Sequence, residues 1–201
     1  MLVDLRSVSV RHAEKDVLDA VSLAVTERDR LGVVGINGTG KSTLLSVIAG
    51  RTVPDGGTVH RARNSRVAYL AQEPELAGRT GADLISGDWE ALALADQLGL
   101  SGGVLEQPLA ELSGGERKRL ALAMQLSRQS DLLVLDEPTN HLDLISIGWL
   151  ERWLKRYRGG LVLVSHDRHL LDRLTTSILE LDRGRAYQHQ GGYQGYLAGR
   201  A

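Results

Sequence analysis

The eight residues from Gly35 to Ser42 constrain this chain more than any other stretch. They read Gly-Ile-Asn-Gly-Thr-Gly-Lys-Ser and follow an apolar run, residues 31–34, that predicts a strand. The spacing is G-x-x-x-x-G-K-S, in which glycines let the backbone curl until several N–H groups point at one polyanion. A helix predicted from this loop to about Ala49 adds the positive end of its dipole. The stretch therefore predicts a loop that holds the phosphates of a nucleoside triphosphate.

Each polar side chain of this loop has an expected contact. Lys41 reaches the β- and γ-phosphates and is a predicted catalytic residue, while the Ser42 hydroxyl binds Mg²⁺. Thr43 lies close to the α-phosphate. The alternative is an accidental glycine-rich turn, which the order of strand, loop and helix disfavours. The other loop residues predicted to bind the nucleotide are Gly35, Asn37, Gly38 and Gly40.

The overall charge of the chain excludes a general attraction to polyanions. Lys and Arg number 24 against 25 Asp and Glu, so the net charge is -1 and any basic surface must be local. The absence of cysteine excludes a disulfide framework and a thiolate metal site. The N-terminus lacks the pattern of a signal peptide, and no apolar run approaches membrane-spanning length. We therefore expect a cytoplasmic protein without direct membrane insertion.

Two kinds of strand pattern indicate the fold class. Residues 2–10 and 17–25 alternate in hydropathy, which is typical of strands with one buried face. Residues 132–135 and 161–164 are continuous apolar runs, which are typical of strands buried on both faces in a parallel sheet. We expect an α/β fold with a mainly parallel core sheet and an antiparallel β subdomain. Further short strands are predicted over 58–61 and 67–70, and a closing hairpin over 178–181 and 185–188.

Helical patterns fill the region between these two groups of strands. Asp88 is expected to cap a helix over 89–98 that stops at Gly99, and a second helix extends to about Ser127. This helical insert covers residues 73–128. With 201 residues in all, we expect one nucleotide-binding domain, in which residues 1–72 and 129–201 form the core.

A further helix is predicted over 144–157, and a weak one near Tyr193. The first carries an apolar residue every fourth position, which favours core packing over a partner surface. The residues of this stripe are Ile145, Trp149, Trp153 and Tyr157. Nearby cations are interpreted as a solvated face; they are Arg152, Lys155, Arg156 and Arg158.

Polar residues at the carboxyl ends of the predicted strands are the expected source of catalysis, because ligands of parallel sheets bind there. Asp136 is predicted to hold Mg²⁺ through water, and Glu137 to orient and polarise the water that attacks the γ-phosphate. His166 is predicted to hydrogen-bond that phosphate. Gln72 is predicted to bridge Mg²⁺ to the helical insert. It is therefore predicted both as a catalytic residue and as a metal ligand. The alternatives are a salt-bridging carboxylate pair and an ordinary structural histidine.

The stretch from Leu112 to Glu116 has two readings. Ser113 and Glu116 have the spacing of a capping box, which would open the helix that follows. That account leaves Gly114 and Gly115 unexplained, although each costs roughly 1 kcal/mol relative to Ala inside a helix. Bare backbone at a helix N-terminus indicates close approach of an anion. We therefore predict a second phosphate site here, distinct from the first.

Together, the phosphate loop, Gln72, residues 112–116, Asp136-Glu137 and His166 resemble the ATP-binding cassette (ABC) superfamily in its family order. The segments 135–143 and 165–168 are most similar to ABC-F proteins, as is the ending 179–184 with Gly192-Tyr193. The resemblance implies a P-loop NTPase fold of the ABC type and Mg²⁺-dependent ATP hydrolysis. It also implies a cytosolic protein that acts on ribosomes rather than on transporters.

The same resemblance implies a head-to-tail pair of cassettes that holds two ATP molecules between them. In that pair Ser113, Gly114 and Gly115 contact the γ-phosphate of ATP on the opposite cassette, and Asp143 lies at the interface. At the position where the family stacks an aromatic residue on adenine, this chain offers His12. The expected cofactors are thus ATP and Mg²⁺, and the expected partner is a second cassette.

Two departures from ABC-F proteins keep several functions open. A full ABC-F chain has a long linker and a second cassette, whereas this one ends at Ala201, so it is a fragment, an N-terminal cassette or a cassette that pairs with itself. Residues 73–111 are short for the arm that many such cassettes insert there, which puts ribosomal contact through an arm in doubt. The leading hypothesis is an ATPase coupled to translation or antibiotic resistance, with the ribosome and its RNA as possible partners. The alternatives are the ATPase subunit of a membrane transporter and an ATP-gated binding module.

Overall fold

A computed structural model describes residues 1–13, 15–100 and 102–200. These residues form nine strands and eight helices. The strands are β1 Val3–His12, β2 Lys15–Val25, β3 Arg30–Val34, β4 Gly56–Arg61, β5 Val67–Leu70, β6 Leu132–Asp136, β7 Gly160–Val164, β8 Ser177–Asp182 and β9 Arg185–Gln190. The helices are α1 Lys41–Ile48, α2 Gly81–Leu84, α3 Trp89–Gln97, α4 Gly102–Leu105, α5 Gly114–Leu126, α6 Leu144–Arg156, α7 Arg168–Leu174 and α8 Gly192–Arg200.

The larger sheet has the strand order β5-β6-β7-β3-β8-β9 and is parallel except for β9. All five residues of β6 and of β7 are buried, as expected for strands covered on both faces. Along β6, Leu133 and Leu135 pack into one core cluster, whereas Leu132 and Val134 pack into the other. The register brings the carboxyl ends of β3, β6 and β7 to the same edge of the sheet.

The smaller sheet has the order β2-β1-β4 and is antiparallel. Its inward-facing residues, such as Val8 and Leu18, share a core cluster with Leu44 and Leu45 of α1 and Val33 of β3. This packing positions the loop between β3 and α1 against the antiparallel sheet. The predicted fold class, a mainly parallel core sheet with an antiparallel β subdomain and a group of helices, is confirmed.

Four helices, α2 to α5, lie between β5 and β6 in the chain. The sequence predicted α3, with its Asp88 cap, and α5 to within one or two residues. It did not predict α2 and α4, which are single turns, or α7, which has seven residues. Such short helices contain too few turns for an apolar period to appear. The assignment of residues 73–128 to a separate subdomain stays a prediction.

The predicted stripe on α6 is wrong at its first member. The Ile145 side chain is 83% exposed, and the buried residues of α6 are Ser146, Leu150 and Leu154. A spacing of four exceeds the helical repeat of 3.6, so each step turns the stripe by about 40° around the axis. Trp149, Trp153 and Tyr157 are partly buried against the core. Among the described residues, no helix has both the length and the apolar character needed to cross a bilayer.

Candidate active site

The loop between β3 and α1 requires glycine at its last position before the helix. Gly40 is the N-cap of α1 at φ +99°, a left-handed conformation that side chains disfavour. A Cβ atom at Gly40 would also lie 2.8 Å from the Val17 carbonyl oxygen. Within the described part of the chain no side chain caps α1, so its first-turn N–H groups keep their capacity to bind an anion.

The Lys41 side chain folds back onto the loop between β3 and α1. Its Nζ donates hydrogen bonds to the carbonyl oxygens of Gly35 at 2.8 Å and Ile36 at 3.1 Å. Burial lowers the pKa of Lys41, while the carboxylates of Glu137 and Asp136 oppose that shift. A cation therefore lies at the mouth of the loop, close to two acidic groups.

Asp136 ends β6 and is fully buried. Neither of its carboxylate oxygens has a hydrogen-bond partner of normal geometry among the described residues. Burial raises the pKa of Asp136, and the nearby Ser42 hydroxyl and the ammonium groups of Lys118 and Lys41 partly offset it. A buried carboxylate without a partner requires an explanation, and the binding of a cation would supply one.

The neighbouring donors fit a hard cation such as Mg²⁺. The Ser42 hydroxyl lies 3.4 Å from Gln72 Oε1, so a hydroxyl and an amide oxygen meet beside Asp136. A set of protein oxygen ligands that includes a single carboxylate is typical of Mg²⁺ sites in which phosphate and water complete the coordination. The described residues contain no group of three or more His, Cys, Asp or Glu placed to bind a metal. This donor set therefore suits a cation that arrives with a phosphate.

Glu137 and His166 come together beyond the ends of β6 and β7. The Glu137 backbone has φ +50°, and its N–H donates to the Val164 carbonyl oxygen at 2.9 Å. Its carboxylate is 5% exposed, lies 3.4 Å from His166 Nε2 and accepts a hydrogen bond from the His166 N–H at 3.3 Å. The His166 side chain is 64% exposed. A left-handed glutamate costs of order 1 kcal/mol, and such strain concentrates at functional sites.

These groups share one cleft of about 490 Å³. Its lining includes most of the residues that the sequence predicted: His12, Asn37, Gly38, Gly40, Lys41, Ser42, Thr43, Gln72, Asp136, Glu137 and His166. Gly35 instead lines a neighbouring cleft of about 310 Å³, which shares Lys41 and His166 with the first. The sequence assigned no role to three further lining residues: Val17, Asn140 and Val164.

Lys118 is a buried cation that the sequence reasoning missed. Its side chain belongs to α5, is 3% exposed, and donates hydrogen bonds to the carbonyl oxygens of Gln72 at 2.8 Å and Asp136 at 3.0 Å. Burial lowers its pKa, while Asp136 most strongly opposes that shift. Its burial could have been predicted from the sequence, because Lys118 lies one turn before the buried Leu122 and therefore on the inner face of the helix. Lys118 ties α5 to two segments of the cleft.

The predicted second phosphate site lies outside this cleft. Ser113 forms the predicted capping box, since its hydroxyl accepts from the Glu116 N–H at 3.2 Å and Glu116 accepts from the Ser113 N–H at 2.8 Å. A Cβ at Gly114 would meet no atom of the described residues within 4 Å, whereas one at Gly115 would lie 3.1 Å from the His141 Cβ. Gly114 lines a separate cleft with Gln72 and His141. Intrachain packing therefore accounts for glycine at 115 but not at 114.

Asp143 has a local structural task that was not predicted. It is the N-cap of α6, and its carboxylate accepts a hydrogen bond from the Ser146 N–H at 2.7 Å. These hydrogen bonds lower the pKa of Asp143. Its place at an interface between cassettes stays a prediction.

The fold and the loop geometry define a P-loop nucleotide-binding domain, and solved structures share that fold. An ATP-binding subunit of an ABC transporter matches with a TM-score of 0.79 and 22% identity, over 94% of this chain and 90% of that one. A dimeric ATP-binding cassette in a post-hydrolysis state with ADP and Pi matches with a TM-score of 0.81 and 21% identity, over 94% and 98%. The model of the ABC transporter family matches residues 18–140. The chain belongs to this family.

Relatives in other organisms bear out the resemblance to ABC-F proteins. The energy-dependent translational throttle protein EttA of Mycobacterium tuberculosis is 36% identical over 98% of this chain and 43% of its own length. The tylosin resistance ATP-binding protein TlrC of Streptomyces fradiae is 36% identical over 99% and 46%. The ABC transporter ATP-binding protein YfmR of Bacillus subtilis, itself uncharacterised, is 37% identical over 94% and 38%. The chain thus spans less than half the length of these relatives.

Proposed function

We propose that this cassette binds Mg·ATP in the 490 Å³ cleft and hydrolyses it to ADP and phosphate. The observation that carries the proposal is the buried, unpartnered Asp136 carboxylate, which lies beside Glu137 and across from the Lys41 loop. Family membership supports the same reaction class.

The loop residues bind and orient the triphosphate. The uncapped N–H groups of α1 and the glycine backbone of the loop surround the β-phosphate, and Lys41 exchanges its two carbonyl acceptors for phosphate oxygens. His12 lines the same cleft, where its imidazole ring can stack on adenine. Thr43 faces the α-phosphate.

The strand-end residues carry out the chemistry. Glu137 orients the attacking water and polarises it, while the His166 imidazole hydrogen-bonds a γ-phosphate oxygen. The P–O bond to ADP breaks as the new bond to water forms, and the water proton passes to solvent through Glu137 or phosphate. Ser42, Gln72 and Asp136 would hold Mg²⁺, which would supply positive charge to the phosphoryl group as it is transferred.

We further propose that hydrolysis requires a second cassette. The Ser113-Gly114-Gly115 turn lies outside the cleft of its own chain, and no contact with the described residues requires glycine at 114. A second cassette, placed head to tail, would bring ATP to this turn and Asp143 to the interface. The second cassette is either part of the same longer protein or another copy of this chain.

The biological setting that we propose is translation. EttA is named as a translational throttle and TlrC as a resistance protein, and both cover nearly all of this chain. The EttA alignment covers 242 positions against the 201 residues here, so that relative has segments without a counterpart in this chain. The shortened 73–111 region is our proposed place for that difference, and contact with ribosomes would then involve other surfaces.

Glu137→Gln tests the enzyme assignment. The amide keeps the size of the side chain but cannot polarise water, so we expect ATP turnover by the paired cassettes to fall at least about 100-fold with ATP binding retained. Glu27→Gln, at an exposed position in the turn before β3, is the matched control and should leave turnover unchanged. Equal turnover in wild type and Glu137→Gln would refute the assigned role.

Co-sedimentation separates the two candidate settings. Glu137→Gln protein locked with Mg·ATP should travel with ribosomes if the cassette acts in translation. Sedimentation with membranes instead would establish the alternative, the ATPase subunit of a membrane transporter.

A further inference from the structure

A second surface of the protein lies at the opposite edge of the parallel sheet from the nucleotide cleft. Arg66, Arg128 and Arg158 come shortly before β5, β6 and β7, so parallel pairing gathers them at the amino ends of these strands. Arg156, at the end of α6, joins them. With Trp153 and Tyr157 they line an open groove of about 400 Å³, which we name the arginine groove.

The charge of the arginine groove is poorly compensated. Among the described residues, no hydrogen bond or ion pair is formed by the side chains of Arg128, Arg156 or Arg158. Arg66 lies 4.0 Å from the Asp131 carboxylate, and Glu90 is the acidic residue in the described lining. A chain with a net charge of -1 therefore concentrates four guanidinium groups in one concave surface.

An ordered aromatic pair forms part of the same surface. The rings of Trp153 and Tyr157 stack with centroids 5.6 Å apart and planes within 14°. The Tyr157 hydroxyl donates to the Ser130 carbonyl oxygen at 2.9 Å, and the Arg30 guanidinium lies 5.8 Å from the ring centre. Trp153 is partly exposed. The pair therefore presents an ordered indole ring next to exposed cations.

We propose that the arginine groove binds single-stranded RNA. Guanidinium groups pair with phosphates in a bidentate geometry, and an aromatic face beside them stacks bases without regard to sequence. An acidic peptide would use the arginines but not the indole face, and a flat anionic bilayer would touch only the rim of a concave groove. The proposal goes beyond ATP hydrolysis and does not depend on it, because the groove and the nucleotide cleft lie at opposite ends of the strands.

The test measures binding of a short fluorescent polyuridine RNA by anisotropy at several salt concentrations. The groove variant replaces three residues, Arg128→Gln, Arg156→Gln and Arg158→Gln. The control variant removes the same charge elsewhere, with Arg63→Gln, Arg79→Gln and Arg183→Gln at exposed positions. We expect the groove variant to bind at least about tenfold more weakly, with a salt slope shallower by about 2, because each lost phosphate contact removes about 0.7. The control variant should bind nearly as wild type does.

A second measurement does not depend on the folding of that variant. RNA should quench the fluorescence of Trp153 in the wild-type protein, and Trp153→Phe should remove this change while the two other tryptophans remain. Equal weakening in both arginine variants, or RNA binding without a Trp153 signal, would overturn the proposal. So would binding of an acidic peptide or of anionic vesicles in place of RNA. Failure of ATP hydrolysis would leave this result unaffected, so the two proposals fail separately.

Discussion

Replacing Lys118 by Met tests how the cleft is linked to α5. Methionine has a similar length and volume and suits a helix, so the change removes mainly the ammonium group. The native Nζ donates to two carbonyl oxygens, those of Gln72 and Asp136, and Lys118 itself is 3% exposed. After substitution both carbonyls lose their charged donor, and the Asp136 carboxylate loses a compensating cation.

The expected loss of stability follows from these contacts. Hydrogen bonds to a charged group contribute about 1.5–3 kcal/mol each, while relief from burying an ammonium group offsets part of that sum. We therefore expect the free energy of unfolding to fall by about 2–4 kcal/mol. A loss of about 3 kcal/mol lowers Tm by about 6–12 °C in a domain of this size. Urea unfolding should show a lower midpoint with an unchanged m-value.

Lys155→Met is the matched control for this prediction. Lys155 lies on α6, is 49% exposed and pairs with Glu151 at 2.7 Å, so the same substitution there should change stability by less than about 0.5 kcal/mol. If Lys118→Met is no more destabilising than Lys155→Met, Lys118 does not tie α5 to the cleft.

Three further outcomes are expected. Gly114→Ala should leave the free energy of unfolding unchanged or raise it by up to about 1 kcal/mol, whereas Gly115→Ala should lower it through contact with His141. Thermal unfolding of both variants measures this difference, and equal effects would contradict the packing argument. Burial raises the pKa of Tyr69 to about 12, so between pH 10 and 12 the phenol loses its proton more readily in the unfolded chain than in the folded one. The stability of the wild type should therefore fall more steeply with pH over this range than that of Tyr69→Phe. Parallel pH profiles would refute this. Lys41→Ala should weaken binding of a fluorescent ATP analogue about 10- to 100-fold, and unchanged affinity would exclude its phosphate role.

The sequence predicted those parts of the molecule in which local pattern and tertiary environment agree. Strands β6 and β7 are apolar along their length because both faces are covered, so their burial could be recognised without a structure. Asp136 and Glu137 stand at the end of such a strand, and parallel topology places them beside the phosphate loop. Glycine spacing identified the loop itself.

Features that depend on three-dimensional neighbours could not be predicted in the same way. In the sequence Lys118 is one of several charged residues of a helix, and only the fold brings the carbonyl groups of two distant segments to it. Ile145 matched an apolar stripe, yet the helical repeat rotates that position into solvent. The arginines before β5, β6 and β7 are far apart in the sequence, and only the parallel register gathers them.

The most direct test of the proposed mechanism is a structure of the paired Glu137→Gln protein with Mg·ATP. The measured quantity is the distance from the γ-phosphate in one cassette to the Ser113 hydroxyl and the Gly115 N–H of the other. Hydrogen-bond distances of about 2.7–3.2 Å are expected, with Asp136 and Ser42 of the first cassette facing the metal ion. If this turn lies beyond hydrogen-bond reach of any terminal phosphate in the closed pair, the proposed paired site is wrong.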